Sequence, residues 1–284
     1  MDISQKQKDG QEARNLKAVL FDMDGVLFDS MPNHVKAWCG AVEQFGLHMT
    51  PQEVYMNEGR TGSGTVDMLA MRTWGRRATA EEIEEIYRVK SALFNTLPEA
   101  APMPYARVLL DNVRARGLRI VLVTGSGQRS LLERLEHAFP GCFHADLMVT
   151  AFDVRHGKPN PEPYLIGLDK AGVKASEAMV VENAPLGVQA GHAAGIYTLA
   201  LNTGPLPDAV LWDSGAASQH ASLCRTGRPF LGIASSLTIH SWAAYRHLCM
   251  PPTLFSIVFG RALRLVVSWL WMISLYPKPL IDNR

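Results

Sequence analysis

The stretch from Leu16 to Val26 constrains the chain most: a short apolar run, Ala18 to Phe21, stops at two aspartates one residue apart, Asp22 and Asp24, followed by Gly25. A run of this length reads as a strand buried on both faces of a parallel sheet. Ligands of open α/β sheets bind beyond the carboxyl ends of such strands, which places Asp22 and Asp24 where chemistry is done. Side chains alternate along a strand, and the glycine that ends this one lets both carboxylates turn toward one site. Taken alone, the same residues also describe a plain strand end with an Asp/Gly turn, so the remainder of the chain has to decide.

Three later segments bear on that decision. Ile120 to Val123 is a second apolar strand, ending in Thr124, Gly125 and Ser126. Gly157-Lys158-Pro159-Asn160-Pro161 sets one lysine in a proline-bracketed loop. Met179 to Val181 is a third strand, ending in Glu182 and Asn183, with Gly187, Gly191, Ala194 and Gly195 behind it. In this order and spacing the four segments resemble the haloacid dehalogenase-like superfamily of phosphotransferases over residues 16 to 213. Asp29 to His34, Ala37-Trp38 and the insert that follows are similar to its β-phosphoglucomutase-like branch.

The pattern between the motifs gives the architecture. From Pro32 to Pro104 no clear strand is visible; Val35, Trp38, Val42 and Phe45 recur at helical spacing, and Thr79-Ala80-Glu81-Glu82 opens a helix like a capping box. From Ala106 helices and strands alternate, with strands expected at 119–124, 147–150, 178–181 and 197–201. That alternation implies a parallel sheet with right-handed crossovers. The expected fold class is therefore α/β, a Rossmann-like parallel sheet core with a small inserted helical cap. Residues 16–31 and 105–213 form the core, 32–104 the cap, 1–15 a flexible leader and 214–284 an atypical tail.

The tail stands apart in charge. Residues 1–213 hold 21 Lys/Arg and 26 Asp/Glu, a net of −5, whereas 214–284 hold 7 Lys/Arg and the single acid Asp282, a net of +6. Beyond Ala216 the chain departs from the resemblance, which implies one more short strand and a helix. Thr253–Tyr276 is long and apolar enough to suggest a membrane span, but Arg261 and Arg264 near its middle would each cost about 2.5–3.5 kcal/mol there. A surface-lying helix is the alternative. The preferred expectation is a tail foreign to the family, such as a frameshifted gene end, with membrane contact not expected.

Other classes are excluded by composition. The acidic body gives no reason to expect a nucleic-acid partner. Four scattered cysteines with no C-x-x-C pair fit a reducing compartment, and the polar leader lacks a signal core, so a cytoplasmic monomer is expected.

The resemblance then assigns roles. Asp22 is the expected nucleophile, forming an aspartyl-phosphate, and Asp24 the general acid/base. Attack on an anionic phosphoryl group calls for a hard divalent cation, Mg²⁺, with Asp22, the backbone carbonyl of Asp24, Glu182 and Asn183 as the expected metal set. Thr124 and the amides of Gly125 and Ser126 are expected on the phosphoryl oxygens, with Lys158 neutralising charge. From the cap, His34 is expected to position Asp24, and Arg60 to meet a second phosphate or a sugar hydroxyl, with Lys90 a further candidate. Asn160 is expected at the rim. The implied activity is phosphoryl transfer on a small phosphorylated metabolite, a sugar phosphate phosphatase. β-Phosphoglucomutase is the alternative, and an impaired or membrane-associated binding protein the alternative of another class.

Overall fold

The computed structural model describes residues 16–127 and 129–221. Six strands form one parallel sheet: β1 (Ala18–Phe21), β2 (Arg119–Val123), β3 (Met148–Val149), β4 (Ala178–Glu182), β5 (Tyr197–Asn202) and β6 (Ser218–Ala221), in the order β3-β2-β1-β4-β5-β6. The chain reverses its direction of travel across the sheet between β1 and β4. That is the switch point at which doubly wound sheets open a crevice beyond their strand ends.

Alternation along the central strand builds the core. Val19 and Phe21 pack to one face with Leu110, Val113, Leu135 and Phe139, while Ala18 and Leu20 pack to the other with Val121, Tyr164, Leu168 and Ala171. The first face is covered by α5 (Ala106–Ala115) and α6 (Arg129–Ala138), and the second by α7 (Glu162–Ala171) and α8 (Pro185–Ala193). All four β1 residues are fully buried. Truncating one of them, as in Leu20→Ala, is expected to cost about 2–5 kcal/mol through lost transfer energy and a residual cavity.

The cap is all helical, as its spacing predicted: α1 (Met31–Glu43), α2 (Pro51–Met56), α3 (Gly62–Trp74) and α4 (Ala80–Thr96). Trp38, Val42, Val54, Val66, Leu69 and Ile86 form its own core. The expected capping box at Thr79 is present, with the Thr79 hydroxyl accepting from Glu82 N–H and the Glu82 carboxylate from Thr79 N–H; Thr50 and Glu53 make a second. The two linkers to the core pair with each other: Asp29 N–H donates to Ala101 O at 2.9 Å and Met103 N–H to Leu27 O at 2.8 Å. The cap thus hangs on two adjacent strands of backbone directly beyond the Asp22–Gly25 turn.

After α9 (Asp208–Asp213) the sheet continues into β6, within the residues assigned to the tail, pairing Leu199 with Ser218 through Asn202 with Ala221. Ser-Gln-His-Ala has no apolar run to announce a strand, but an edge strand is held by main-chain hydrogen bonds that most sequences can make. Residues 222–284, including Thr253–Tyr276, lie outside the described residues, as does the leader 1–15. Among the described residues no helix is long and apolar enough to cross a membrane.

Candidate active site

Asp22 leaves the end of β1 with its N–H still bonded to Val181 O across to β4. Its side chain is buried. Oδ1 accepts from Lys158 Nζ at 2.6 Å, and Oδ2 has no protein partner. Burial pushes the Asp22 carboxyl well above the ordinary range, against the pull of the Lys158 ammonium. Gly25 turns the chain at φ +82°, and a Cβ there would stand 2.1 Å from Asn183 Nδ2. The turn therefore needs glycine both for its backbone angle and for the closeness of the β4 loop.

Lys158 is buried on three acceptors: Asp22 Oδ1 and Glu182 Oε1, each at 2.6 Å, and Val123 O at 3.0 Å. Burial lowers its proton affinity, but the two carboxylates outweigh that and hold it above the usual lysine value. Glu182 differs from expectation. Oε1 also accepts from Tyr164 OH at 2.8 Å, and Oε2 accepts from the N–H groups of Asn183 and Ala184 at 2.9 and 3.1 Å. With both oxygens taken by protein donors, Glu182 is the ion-pair partner of Lys158 and offers no oxygen without a protein donor.

Asn183 Nδ2 donates to both oxygens of Glu58, at 3.1 and 3.2 Å, leaving Oδ1 without a partner. Among the described residues, Asn183 Oδ1 and Asp22 Oδ2 are the two buried side-chain polar atoms in that condition. Two orphaned oxygens at neighbouring strand ends suit a hard cation, and a positive charge there would offset the burial cost at Asp22. No three His, Cys, Asp or Glu side chains form a metal cluster among the described residues. A cation would thus rely on few side chains plus backbone and water, as Mg²⁺ does.

Glu58 was missed by sequence reasoning. It sits in the cap loop just before Gly59 and Arg60, and burial, followed by the charges of Asp22, Glu182 and Asp24, raises its pKa well above the usual value. A buried acid in a glycine-flanked loop carries no periodic signal; adjacency to Arg60 was the available clue.

Asp24 belongs to a second network. Its Oδ1 accepts from Ser30 Oγ at 2.5 Å and lies 3.2 Å from His34 Nε2. The opposite ring nitrogen, His34 Nδ1, lies 3.1 Å from Lys90 Nζ. An ammonium or amine N–H pointing at Nδ1 makes that atom the acceptor, which puts the imidazole proton on Nε2, facing Asp24. Burial lowers His34, and Lys90 lowers it further. Burial would raise Asp24, but His34 and Ser30 bring it below its usual value. Lys90 lies over the rings of Phe94, Trp38 and Tyr87 at 5.0, 5.4 and 5.6 Å, and burial pulls it down to about 7.

Asp22, Asp24, His34, Arg60, Lys90 and Thr124 line one cavity between cap and core. Thr124, Gly125 and Ser126 form its floor, and Ser126 N–H is turned onto Thr124 Oγ1 at 3.0 Å rather than left to a ligand alone. Gly125 meets the cap loop: a Cβ on it would stand 2.5 Å from Gly59 O. Arg60 is half-buried, with Nε on Asn57 Oδ1 at 3.3 Å. Asn160 is not at the rim of this cavity. It is exposed, and its Oδ1 accepts from Glu162 N–H at 2.9 Å, tying the loop to the first turn of α7.

Comparisons with known proteins identify the family and the fold. The family model described as haloacid dehalogenase-like hydrolase matches residues 16–195. Hexitol phosphatase A of Escherichia coli is 31% identical over 66% of this chain and 83% of its own. A phosphorylated carbohydrates phosphatase of Thermotoga maritima is 30% identical over 64% of this chain and 82% of its own. Among solved structures, one described as "Putative beta-phosphoglucomutase from Bacteroides vulgatus" superposes with a TM-score of 0.73 at 55% identity, covering 76% of this chain and 88% of that one.

Proposed function

The chain belongs to the haloacid dehalogenase-like hydrolases, and from that premise we propose that it is a Mg²⁺-dependent phosphatase acting through an aspartyl-phosphate on a small phosphorylated sugar or sugar alcohol. The observation that carries this reading is the division of labour between two carboxylates one residue apart. Asp22 meets Lys158 with one oxygen and keeps the other without a partner, whereas Asp24 meets a histidine and a hydroxyl. Environments that differ this much separate a nucleophile from an acid/base.

Asp22 attacks the phosphoryl group. Lys158, kept protonated between Asp22 and Glu182, orients that carboxylate and stabilises charge on the transferring group. Asp22 Oδ2, Asn183 Oδ1 and the Asp24 carbonyl would hold the metal, with Glu58 holding the Asn183 amide by its nitrogen so that the oxygen is left for the cation. When bound, Mg²⁺ supplies the positive charge that lets one anion approach another. An anionic phosphate ester bound beside Asp24 raises its proton affinity, so that it enters the step protonated, gives that proton to the leaving oxygen and later takes one from the attacking water; Ser30 and the His34 Nε2 proton face its Oδ1. Thr124 and the following turn receive the phosphoryl oxygens, and Arg60 and Lys90 face the leaving group from the cap.

The names of the relatives support a carbohydrate phosphate as substrate. The 55% identity to the Bacteroides vulgatus protein favours a second reading, in which the phosphoryl group passes to a sugar hydroxyl instead of water. Turnover of hexose and hexitol phosphates with Mg²⁺, including β-glucose 1-phosphate primed with glucose 1,6-bisphosphate, separates the two. Stoichiometric phosphate release is expected. Glucose 6-phosphate without phosphate would establish the mutase, and no turnover of any of them would overturn both.

A further inference from the structure

Two carboxylates hold the Lys158 ammonium at the same distance but not on equal terms. Asp22 Oδ1 and Glu182 Oε1 each lie 2.6 Å from Nζ. Among the described residues, the Asp22 carboxylate receives Lys158 and no other donor, its Oδ2 being without a partner. Glu182 receives four donors: Lys158 Nζ and Tyr164 OH on Oε1, and the N–H groups of Asn183 and Ala184 on Oε2. A carboxylate whose charge is spread over several donors pulls less on any one of them. Glu182 thus holds the ammonium without monopolising it.

Tyr164 is the donor that sets this division. Its hydroxyl lies 2.8 Å from the oxygen that Lys158 also uses, whereas the two backbone donors sit on the other oxygen. The side chain is fully buried in α7, with the ammonium over its ring at 5.1 Å. A Cβ on Gly187 would overlap the Glu182 carboxylate, so that group is confined between α8 and Tyr164. We propose that Tyr164 is a positioning residue for phosphoryl transfer: its hydroxyl occupies part of Glu182 Oε1 and so leaves the Lys158 ammonium evenly divided with the nucleophile Asp22. This rests on the phosphoryl-transfer reading given above. Without the hydroxyl, Oε1 has Lys158 as its sole donor and draws the ammonium off Asp22 Oδ1. Asp22 then loses its fixed direction, and the transferring group loses part of its charge stabilisation.

Tyr164→Phe keeps the ring and removes the hydroxyl. Lys158 still satisfies Glu182 Oε1, so the fold should survive, with circular dichroism as the check. The deciding readout is a pair of crystal structures, wild type and Tyr164→Phe, which need no turnover. The separation of Lys158 Nζ from Asp22 Oδ1 should open past the hydrogen-bond limit of about 3.2 Å while the contact to Glu182 stays. An unchanged separation overturns the proposal whatever the kinetics do. In turnover of p-nitrophenyl phosphate with Mg²⁺, kcat should fall about tenfold at an unchanged KM, the scale of one interaction lost from the transition state. A raised KM at wild-type kcat overturns it, since the hydroxyl would then serve binding. In a Glu182→Gln background, removing the same hydroxyl should change kcat by less than about twofold. A full loss there overturns it too, because Tyr164 would not be acting through Glu182. Wild-type protein that turns over no phosphate ester would sink the phosphatase reading alone, and the two structures would still report where Lys158 sits.

Discussion

Lys90 Nζ lies 3.1 Å from His34 Nδ1, so a cap lysine sets the tautomer of the histidine whose other nitrogen faces Asp24. Asp24, the proposed acid/base, is thereby wired to the cap through one imidazole. Burial lowers Lys90 to about 7 from an ordinary 10.5. Between those two values the unfolded chain binds a proton that the folded chain does not, so stability should rise with pH across the window, by up to about 1.4 kcal/mol per pH unit for one proton. Lys90→Met should remove that slope. Urea unfolding of both proteins at pH 7 and pH 9 measures it; equal slopes would mean that Lys90 stays charged in the fold.

Asp22→Asn should lower phosphate release by about a thousandfold or more, since a neutral amide cannot form the covalent intermediate. The fold should survive, because the amide oxygen can still accept from Lys158 Nζ. Steady-state turnover with circular dichroism on the same sample checks both halves. Residual activity near the wild-type level would move the nucleophile elsewhere.

Asn183→Asp adds a negative charge at the proposed metal site. Mg²⁺ affinity, read by calorimetry, should tighten by about tenfold, following the dependence of affinity on ligand charge. Without metal the variant should melt below the wild type, because the new carboxylate would face Glu58 and lose the two hydrogen bonds that Nδ2 donates to it. Metal should reverse the order of the two melting temperatures.

Gly125→Ala tests the seam between cap and core. The added Cβ would fall 2.5 Å from Gly59 O, a backbone atom that cannot swing aside. Cap seating should fail, lowering kcat/KM by about tenfold or more while the core melts near its wild-type temperature. Wild-type kinetics would show that the cap seats without this contact.

The parts of this molecule that were legible in sequence are those where a local pattern and a physical need coincide. β1 and β4 are buried on both faces and read as unbroken apolar runs, so Asp22 and Asn183 could be placed at their ends. Thr79 and Glu82 form the capping box that their spacing announced. The structure departs from the expected roles where a side chain's partners could not be read from its residue type. Glu182 has the residue type of a metal ligand, but Tyr164 and Lys158, brought in by α7 and its preceding loop, take its oxygens. Asn160 reads as a polar rim group, yet it is spent on the nearby Glu162 amide. Glu58 becomes significant only once the cap folds over Asn183, 125 residues later. β6 was overlooked because an edge strand is written in main-chain pairing.

The close approach of Gly125 to Gly59 O also bears on how such an enzyme can diverge. A seam made backbone against backbone offers no side chain for drift to work on, so its geometry is inherited whole or lost. Change in substrate range is thereby channelled to residues that face the cavity from behind the seam, chiefly Asn57, Arg60 and Lys90. A lineage descending from this chain could retune what it accepts through those few positions while the hinge, the turn and the carboxylate pair stay as they are.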